Sequence, residues 1–353
     1  MPYAQKRQCA KCEKGFTARV HNRVYCSAKC KTDADNDRRR TGRISHMCDI
    51  CTNEFQAQKG SDKYCSRECA REAYNTQRKP ERDEQMERLF RYYKSRESIT
   101  IDSAKEGDRV LVLSDTQFPF SDVKLLETID RFIEDWKPTD IFYNGDILDC
   151  YAISQFDQRP ERLFNLQDEF ELAKDWTAGH RRLTKCRQFW SDGNHEERLN
   201  RIIWNKAQGF SFMVADIAEA LELEKWTKGF VPYGKHFDYL GFIITHGTIV
   251  RKNAGYTARA MMEKYRSSGV SGHTHRAGSH SMTDHRERSH TWFEQGCLCR
   301  TDLDYLKAHP DWQHAFVLGT VHQGALHPQL VRVVETGRGR GFVAAGSYYK
   351  IPA

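Results

Sequence analysis

The sequence lacks any long apolar run. No stretch of its 353 residues approaches the 18 to 20 or so apolar residues of a membrane-spanning helix, and its opening MPYAQKRQCA contains no apolar segment of a secretory leader. These absences argue against a membrane protein and against an exported one. We therefore expect a soluble protein of the cytoplasm with no membrane partner.

Signatures of disorder are also scarce. Apolar residues make up 39% of the chain, and 19 Phe, 15 Tyr and 7 Trp supply large side chains for packing. Such a composition excludes a mostly disordered chain. A single core does not usually span 353 residues, so we expect one sizeable domain with something small attached, or two or three modest domains.

Positive charge is concentrated near the amino terminus. The net charge is +7, but residues 1–80 contain 18 Lys and Arg against 9 Asp and Glu, whereas residues 81–353 contain 37 against 39. A basic segment joined to a nearly neutral body favours an anionic partner, most simply nucleic acid, although a basic surface can also serve only solubility. The densest basic run is DRRRTGR at 37–43.

Eight of the 12 cysteines lie before residue 70 and form a repeat. A CxxC pair, 13 residues and a CxxxC pair occur twice, and the second copy follows the first by 39 residues. The eight positions are Cys9, Cys12, Cys26 and Cys30 in the first copy and Cys48, Cys51, Cys65 and Cys69 in the second. Phe16 matches Phe55 and Tyr25 matches Tyr64, so the repeat is an internal duplication.

Each copy has the spacing of a zinc site. A CxxC turn offers two thiolates, and a second pair about a dozen residues later completes a tetrahedral shell around Zn²⁺. The alternative is a disulfide framework, but no secretory leader accompanies the cysteines, and a unit of about 25 residues is too small to bury a core without a metal. We therefore predict two structural Zn²⁺ ions, one in a first zinc finger at 1–40 and one in a second at 41–80.

The two fingers are similar to the short YCSxxC zinc fingers that are attached to phage and bacterial nucleic-acid enzymes. The resemblance covers 9–30 and 48–69 only. It implies a nucleic-acid partner and a phage source. Phosphate contact by the basic run between the fingers is also expected, although such runs are often only solvated.

The chain changes character twice after the cysteines. Residues 81–108 are rich in charged side chains, and the sequence of 81–98 predicts a linker helix. From residue 109 short apolar or β-branched runs alternate with amphipathic stretches. Strands are predicted at 109–115, 139–146 and 186–195, and helices at 123–136 and 161–183. This βαβαβ order predicts an α/β domain over 109–353 with its site at the carboxyl ends of the strands.

Five short polar motifs follow the strands of this domain. They are SDTQ at 114–117, GDILD at 145–149, GNHEE at 193–197, THG at 245–247 and GHTH at 272–275. In this order they resemble the pattern Dx[HQ], GDxx[DE], GNH[ED], a lone His and GHxH of the calcineurin-like metallophosphoesterase superfamily. The resemblance spans 109 to about 340 and implies a β-sandwich flanked by helices that hydrolyses phosphoesters with two divalent metal ions.

The same resemblance implies seven metal ligands by motif position. Two ions about 3.5 to 4 Å apart need a shared carboxylate, and a GHxH turn can give one imidazole to each ion. The first metal takes Asp115, His275 and, in addition, Gln117; Asp146 bridges; and the second metal takes Asn194, His246 and His273.

Gln117 departs from the family pattern, because most members have His at this position. An amide oxygen is a harder and weaker ligand than imidazole, so the first site should favour Mn²⁺ or Mg²⁺ over Zn²⁺. We expect Mn²⁺, with Mg²⁺, Fe and Zn²⁺ as alternatives. Whether Gln117 is a ligand or only a hydrogen-bonded neighbour is left open by the sequence.

Two residues have catalytic roles by the resemblance. His195 matches the general acid that protonates the leaving oxygen, and Asp149 matches the acidic residue that orients it. If the two side chains pair, the pKa of His195 should rise. Cys297 and Cys299 lie two apart in a predicted strand and are interpreted as buried thiols without partners rather than as a third zinc site.

The motifs specify a phosphoester and leave its identity open. The tethered fingers favour nucleic acid, because a module that holds the phosphate backbone raises the local substrate concentration. The preferred interpretation is therefore a nuclease or nucleic-acid phosphodiesterase. The alternative is a phosphomonoesterase acting on nucleotides or phosphoproteins, although Cys150 replaces the arginine of the protein-phosphatase motif GDxxDRG.

A non-enzymatic zinc-finger adaptor is a hypothesis of a different class. It would predict lost ligands, whereas six of the seven expected ligand types and His195 are present. The sequence does not specify DNA or RNA, exo or endo cleavage, or the oligomeric state.

Overall fold

The structure, a computed structural model, describes residues 4–41, 44–57, 63–76, 97–154, 164–206, 216–303 and 310–353. It forms two compact units, Met1–Arg91 and Tyr92–Ala353. The linker helix predicted at 81–98 lies outside these residues except for its last two positions. Within the described ranges, no helix combines the length and the apolar character needed to cross a membrane.

Each finger of the first unit is a β-hairpin followed by a helix. The elements are β1 (Gln5–Gln8), β2 (Gly15–Ala18), α1 (Ala28–Thr41), β3 (Ile44–Met47), β4 (Glu54–Ala57) and α2 (67–76). The two hairpins have the same register, since Arg7 pairs with Phe16 as His46 pairs with Phe55. The side chains of 38–41, and with them most of the predicted basic run, are not described.

The fingers have almost no apolar interior. Among their described residues, the buried apolar side chains are only those of cysteine and alanine: Cys9, Ala18, Cys48, Ala57 and Ala73. So little apolar area supplies little hydrophobic stabilisation, which leaves the cysteine clusters as the organising centres of this unit.

Two six-stranded mixed sheets form the centre of the second unit. One contains, in spatial order, β16 (Ala325–Arg332), β15 (Ala315–His322), β6 (Arg109–Leu113), β7 (Asp140–Asn144), β8 (Arg187–Ser191) and β9 (Gly229–Val231). The other contains β13 (Ala277–Thr283), β14 (Ser289–Gln295), β12 (Gly269–Ser271), β11 (Phe242–Thr245), β10 (Phe237–Tyr239) and β5 (Ile99–Ile101). A three-stranded sheet of β17 (Val334–Thr336), β18 (Gly339–Ala344) and β19 (Ser347–Ile351) follows.

The sheets pack face to face, and side chains alternate between two buried faces. Val110 and Val112 of β6 belong to the apolar cluster between the sheets, whereas Leu111 and Leu113 face the helices. A strand that is buried on both faces needs a continuous apolar run, and VLVL at 110–113 is one. The segment 81–108, predicted as a linker, contains β5, which pairs in parallel with β10.

Helices cover the outer face of each sheet. On one side lie α3 (Val123–Trp136) and α4 (Leu166–Leu183), and on the other lies α8 (Tyr256–Tyr265). The described part of this unit also contains a 3₁₀ turn at Tyr151–Ile153, α5 (Glu197–Lys206), α6 (Ile217–Ala220) and α7 (Leu223–Trp226). The predicted α/β sandwich flanked by helices is confirmed.

Candidate metal centres

The five polar motifs converge at one edge of the sandwich. Strands β6, β7 and β8 are parallel neighbours, so the loops that follow them meet. These loops contain Asp115, Asp146 and Asn194, and the loops after β11 and β12 of the facing sheet contain His246 and the GHTH turn. Both sheets therefore contribute to a single cluster.

The backbone at this edge is unusual. Five of the seven predicted ligands have positive φ angles: Asp115 54°, Gln117 49°, Asp146 50°, His273 71° and His275 57°. A left-handed conformation costs a residue other than glycine on the order of 1 kcal/mol or more. Such conformations gather at functional sites, where they aim side chains that a relaxed loop would direct elsewhere.

Two glycines make this close approach possible. A Cβ atom on Gly193 would collide with the carboxylate of Asp146, and one on Gly272 would collide with Ser114 and Asp115. Glycine is therefore required at both positions for the ligand loops to touch.

The first predicted metal position is surrounded by oxygen and nitrogen atoms. Ligand atoms of Asp115, Asp146 and His275 all lie within 4.8 Å of one another. The side-chain nitrogen of Gln117 lies 3.2 Å from Nε2 of His275, and its Oε1 is buried without a hydrogen-bond partner among the described residues. A buried amide oxygen without a donor is costly unless a cation binds it, so this cluster fits a divalent ion.

The second predicted position shares Asp146 with the first. Asp146, His246 and His273 also offer ligand atoms within 4.8 Å. Nε2 of His246 lies 3.2 Å from Oδ2 of Asp146 and 3.2 Å from Oδ1 of Asn194. Nδ1 of His273 is buried with no partner in the described part of the chain. All seven predicted ligands are thus brought together, with Asp146 common to both groups.

Hydrogen bonds outside the cluster orient its imidazoles. Nδ1 of His246 lies 2.9 Å from the carbonyl oxygen of Asn144 and donates to it, which turns Nε2 toward the carboxylates. A hydrogen bond fixes the GHTH turn in place: the hydroxyl of Thr274 donates to the buried carboxylate of Glu294 over 3.0 Å. Partners of this kind fix ring orientation around metals.

The electrostatics of the cluster favour cations. Burial lowers the pKa of His246, but the carboxylate of Asp146 outweighs burial and raises that pKa to about 10. Burial and the neighbouring His246 lower the pKa of His273 to about 4. Protons and metal ions therefore compete for the same nitrogen atoms, and binding of a cation must release protons.

His195 lies beside the cluster. Its Nδ1 is 3.0 Å from Oδ1 of Asp149, and its backbone N–H donates to Oδ1 of Asp146 over 2.9 Å. Burial lowers its pKa, but Asp146 and Asp149 outweigh burial and raise it. The predicted pairing of His195 with Asp149, and its effect on the pKa, are both present in the structure.

Glu196 was not singled out by sequence, although the GNH[ED] motif contains an acidic residue there. Its buried carboxylate accepts hydrogen bonds from the backbone N–H groups of Gly193 (2.8 Å), Asp146 (3.0 Å) and Leu148 (2.9 Å). Glu196 therefore binds two of the ligand loops together. The acidic position in the GNH[ED] pattern was the sequence signal that could have identified Glu196.

Arg198 was missed entirely. Nη2 of its guanidinium lies 2.9 Å from Nε2 of His195, and Nη1 donates to the carbonyl oxygen of Asp149 over 2.8 Å. A guanidinium only donates, so Nε2 of His195 accepts in this arrangement. The sole sequence signal was the spacing of three residues at the start of a helix.

Cys297 and Cys299 are buried, as interpreted, but they have a partner. Together with His275 they form a group of ligand-type atoms within 4.8 Å, and the sulfur of Cys299 lies 3.9 Å from Nδ1 of His275. The expectation that these thiols lack partners is therefore wrong. The alternation of side chains along a predicted strand could not reveal the contact between Cys299 and His275, which lie in different loops.

The cysteines of each finger form a compact cluster. Sulfur atoms of Cys12 and Cys30 lie 3.5 Å from that of Cys26, and in the second finger the matching distances from Cys65 are 3.4 and 3.6 Å. Zn–S bonds of about 2.3 Å in a tetrahedron place sulfurs about 3.8 Å apart. Each finger therefore fits one Zn²⁺.

Comparisons with known proteins give distant similarities. No protein-family model matches the chain. The chain is 28% identical over 253 residues to the Gene 54 protein of Mycobacterium phage D29 and 29% identical over 248 residues to that of Mycobacterium phage L5. Each alignment covers 64% of this chain and 94% of the relative. Both relatives are phage proteins, in keeping with the expected phage source.

Solved structures overlap the chain only loosely. Vps29 from Cryptosporidium parvum has a TM-score of 0.34 and 13% identity, and covers 69% of this chain and 95% of its own. Purple acid phosphatase PPD1 from yellow lupin (Lupinus luteus) has a TM-score of 0.35 and 12% identity, and covers 65% of this chain and 52% of its own. TM-scores this low do not establish a shared fold, so the sandwich is defined by its own topology.

Proposed function

We propose that this protein is a metal-dependent phosphoesterase that hydrolyses phosphodiester bonds in nucleic acid. The observation that supports this function is the convergence of the seven predicted ligand side chains on two positions that share Asp146, with His195 alongside. Divalent cations bound there, Mn²⁺ first among them, would polarise the phosphoryl oxygens and lower the pKa of a bound water.

His195 is the proposed general acid. Asp149 holds its Nδ1, and the raised pKa lets the ring keep a proton near neutral pH. Nε2 is then the atom that gives its proton to the leaving oxygen. In the structure Nε2 accepts from Arg198, so that guanidinium must first move away. A phosphoryl oxygen of the substrate is a suitable acceptor for the displaced guanidinium.

Nucleic acid is the proposed substrate class because of the fingers. Residues 1–80 contain twice as many basic as acidic residues, 18 against 9, in a chain whose remainder is nearly neutral. A tethered module that binds a polyanion raises the concentration of phosphodiester bonds near the catalytic unit.

The test is a substrate panel for the full-length protein with Mn²⁺: end-labelled DNA and RNA, free nucleotides, and an activated aryl phosphodiester. We expect cleavage of at least one polymer and of the aryl diester. Asp146→Asn should show neither, which excludes a contaminating nuclease. Release of inorganic phosphate from nucleotides, with both diesters left intact, would identify a phosphomonoesterase instead. No hydrolysis of any substrate would refute the proposal.

A further inference from the structure

The two fingers share a backbone and differ in charge. Residues 5–31 enclose the first cysteine cluster and contain 8 Lys and Arg against 1 Glu, whereas the matching residues 44–70 contain 3 basic residues against 4 acidic ones. Four thiolates on one Zn²⁺ add the same formal charge to both fingers, so the difference remains when metal is bound. Over these two ranges the first copy is strongly basic and the second is slightly acidic.

The difference extends to every basic position within residues 5–31. At an offset of 39 residues, none of the eight counterparts is Lys or Arg, and two are acidic. The pairs are Lys6 and Ser45, Arg7 and His46, Lys11 and Ile50, Lys14 and Asn53, Arg19 and Gln58, Arg23 and Asp62, Lys29 and Glu68, and Lys31 and Ala70.

Some of the basic side chains of the first finger make contacts within the protein, and others do not. The ammonium of Lys11 pairs with Asp37, and the guanidinium of Arg23 donates to the carbonyl oxygen of Cys26 over 2.8 Å. By contrast, four exposed ammonium groups make no hydrogen bond or ion pair within the described part of the chain: those of Lys6, Lys14, Lys29 and Lys31. These four charges are available to a partner.

Helix stability does not account for the lysine at position 29. Ser27 and Ser66 cap α1 and α2 in the same way, each accepting from the cysteine N–H three residues later over 3.2 Å. Lys29 then places a cation in the first turn of α1, where the helix dipole disfavours it. Glu68 places an anion at the matching position, which the dipole favours. The second finger thus has the stabilising residue at this position, and the first does not.

We propose that the two fingers have different tasks, with the first binding the phosphate backbone of nucleic acid and the second not binding it. The inference rests on the proposed function in that nucleic acid is the partner class. Zinc shapes both fingers, and the exposed lysines of one finger provide the affinity. A polyanion fits these observations because it can neutralise several exposed ammonium groups that have no partner in the described part of the chain.

A matched pair of full-length variants tests this division. In the first variant Lys6→Ser, Lys14→Asn and Lys29→Glu install the residues of the second finger and change the net charge by −4. In the control, Lys63→Glu and Arg67→Glu replace two exposed side chains of the second finger and change the net charge by the same −4. Zinc content, two per chain, verifies that both variants remain folded.

The measurement is the affinity for short single- and double-stranded DNA and RNA over a series of salt concentrations. In the first variant we expect affinity about 10-fold weaker or more near 0.1 M salt, and a slope of log K against log salt that is shallower by about 2 to 3. The control should stay within about 2-fold of the parent protein. If the fingers of the first variant lose zinc, Lys29→Glu alone replaces it, with a slope change of about 1.

Equal losses in both variants would overturn the division, because the whole basic unit would then act by net charge alone. An unchanged first variant would also overturn it. Hydrolysis of the activated aryl diester, which needs no finger, separates this inference from the proposed function and should be unchanged in both variants. If the parent protein fails to hydrolyse that diester while the difference in binding persists, the proposed function is wrong and the division stands.

Discussion

The two units of this chain relate to metal in opposite ways. In the fingers, the buried apolar side chains among the described residues are those of cysteine and alanine, so we expect a metal ion to stabilise the fold where a hydrophobic core is lacking. In the second unit, Trp190, Trp292 and Phe142 are fully buried, and the ligand loops have their own hydrogen bonds through Glu196. On the proposals above, metal would stabilise the fold of the first unit and take part in hydrolysis in the second.

Metal removal should give the largest difference between the units. The proposed zinc contributes roughly 10 kcal/mol or more to folding in modules of this kind, so a strong chelator should unfold the fingers completely. The sandwich should stay folded but inactive. Limited proteolysis of the chelated protein should digest the first unit and leave a core fragment near 92–353. Fingers that resist the protease after chelation would show that they fold without metal.

The second effect in size is loss of the shared ligand. Asp146→Asn should reduce hydrolysis to background and weaken both catalytic metals, because one carboxylate belongs to both groups. The zinc of the fingers and the melting temperature of the sandwich should change little. Elemental analysis, calorimetry and turnover at saturating Mn²⁺ provide these three measurements. Undiminished turnover would argue against a dinuclear centre.

A smaller, selective effect is expected at His195. His195→Ala should slow diesters with poor alkoxide leaving groups by about 10² to 10⁴, the usual range for a positioned general acid. An aryl diester, whose leaving group departs without a proton, should be slowed much less. Metal content should be unchanged, because the ligand is the neighbouring Asn194. Equal slowing of both substrates would assign His195 a structural role.

The smallest effect concerns the first metal position. Gln117→His should tighten that position, since imidazole binds these ions more strongly than an amide does. The Mn²⁺ concentration for half-maximal activity should fall by about 10-fold, and finger zinc should not change. A titration curve identical to that of the parent protein would mean that Gln117 does not bind metal.

Apolar runs in the sequence located the strands and helices and so predicted the α/β domain. The sandwich and the seven ligand positions were implied by the resemblance of five short motifs to a known family, and the order of those motifs located the side chains at strand ends. Boundaries were less certain: the helix predicted from 161 begins at Leu166, where the Asn165 side chain caps it. The pairing of β5 with β10 joins segments more than 130 residues apart, and no local pattern indicates it.

The contacts that the sequence did not indicate have two causes. Glu196 contacts the Asp146 loop, and Cys299 contacts His275, only once separate loops have met. Arg198 contacts a residue three positions away, but only because of the backbone path at the start of α5. The nitrogen of Arg198 reaches His195 because α5 begins directly after the GNHE motif, and the sulfur of Cys299 reaches His275 across 24 residues. Residue type and spacing along the chain do not indicate how close these side chains lie in the folded protein.

The left-handed backbone of the ligand loops has a consequence for the thermal stability of the protein. Glycine adopts positive φ without steric cost, so Gln117→Gly or His273→Gly would relax the chain and remove a polar atom that is buried without a partner in the described structure. At these positions we expect the stability of the fold and the proposed hydrolysis to make opposite demands, because the strained residues are the ones that would hold the metal ions.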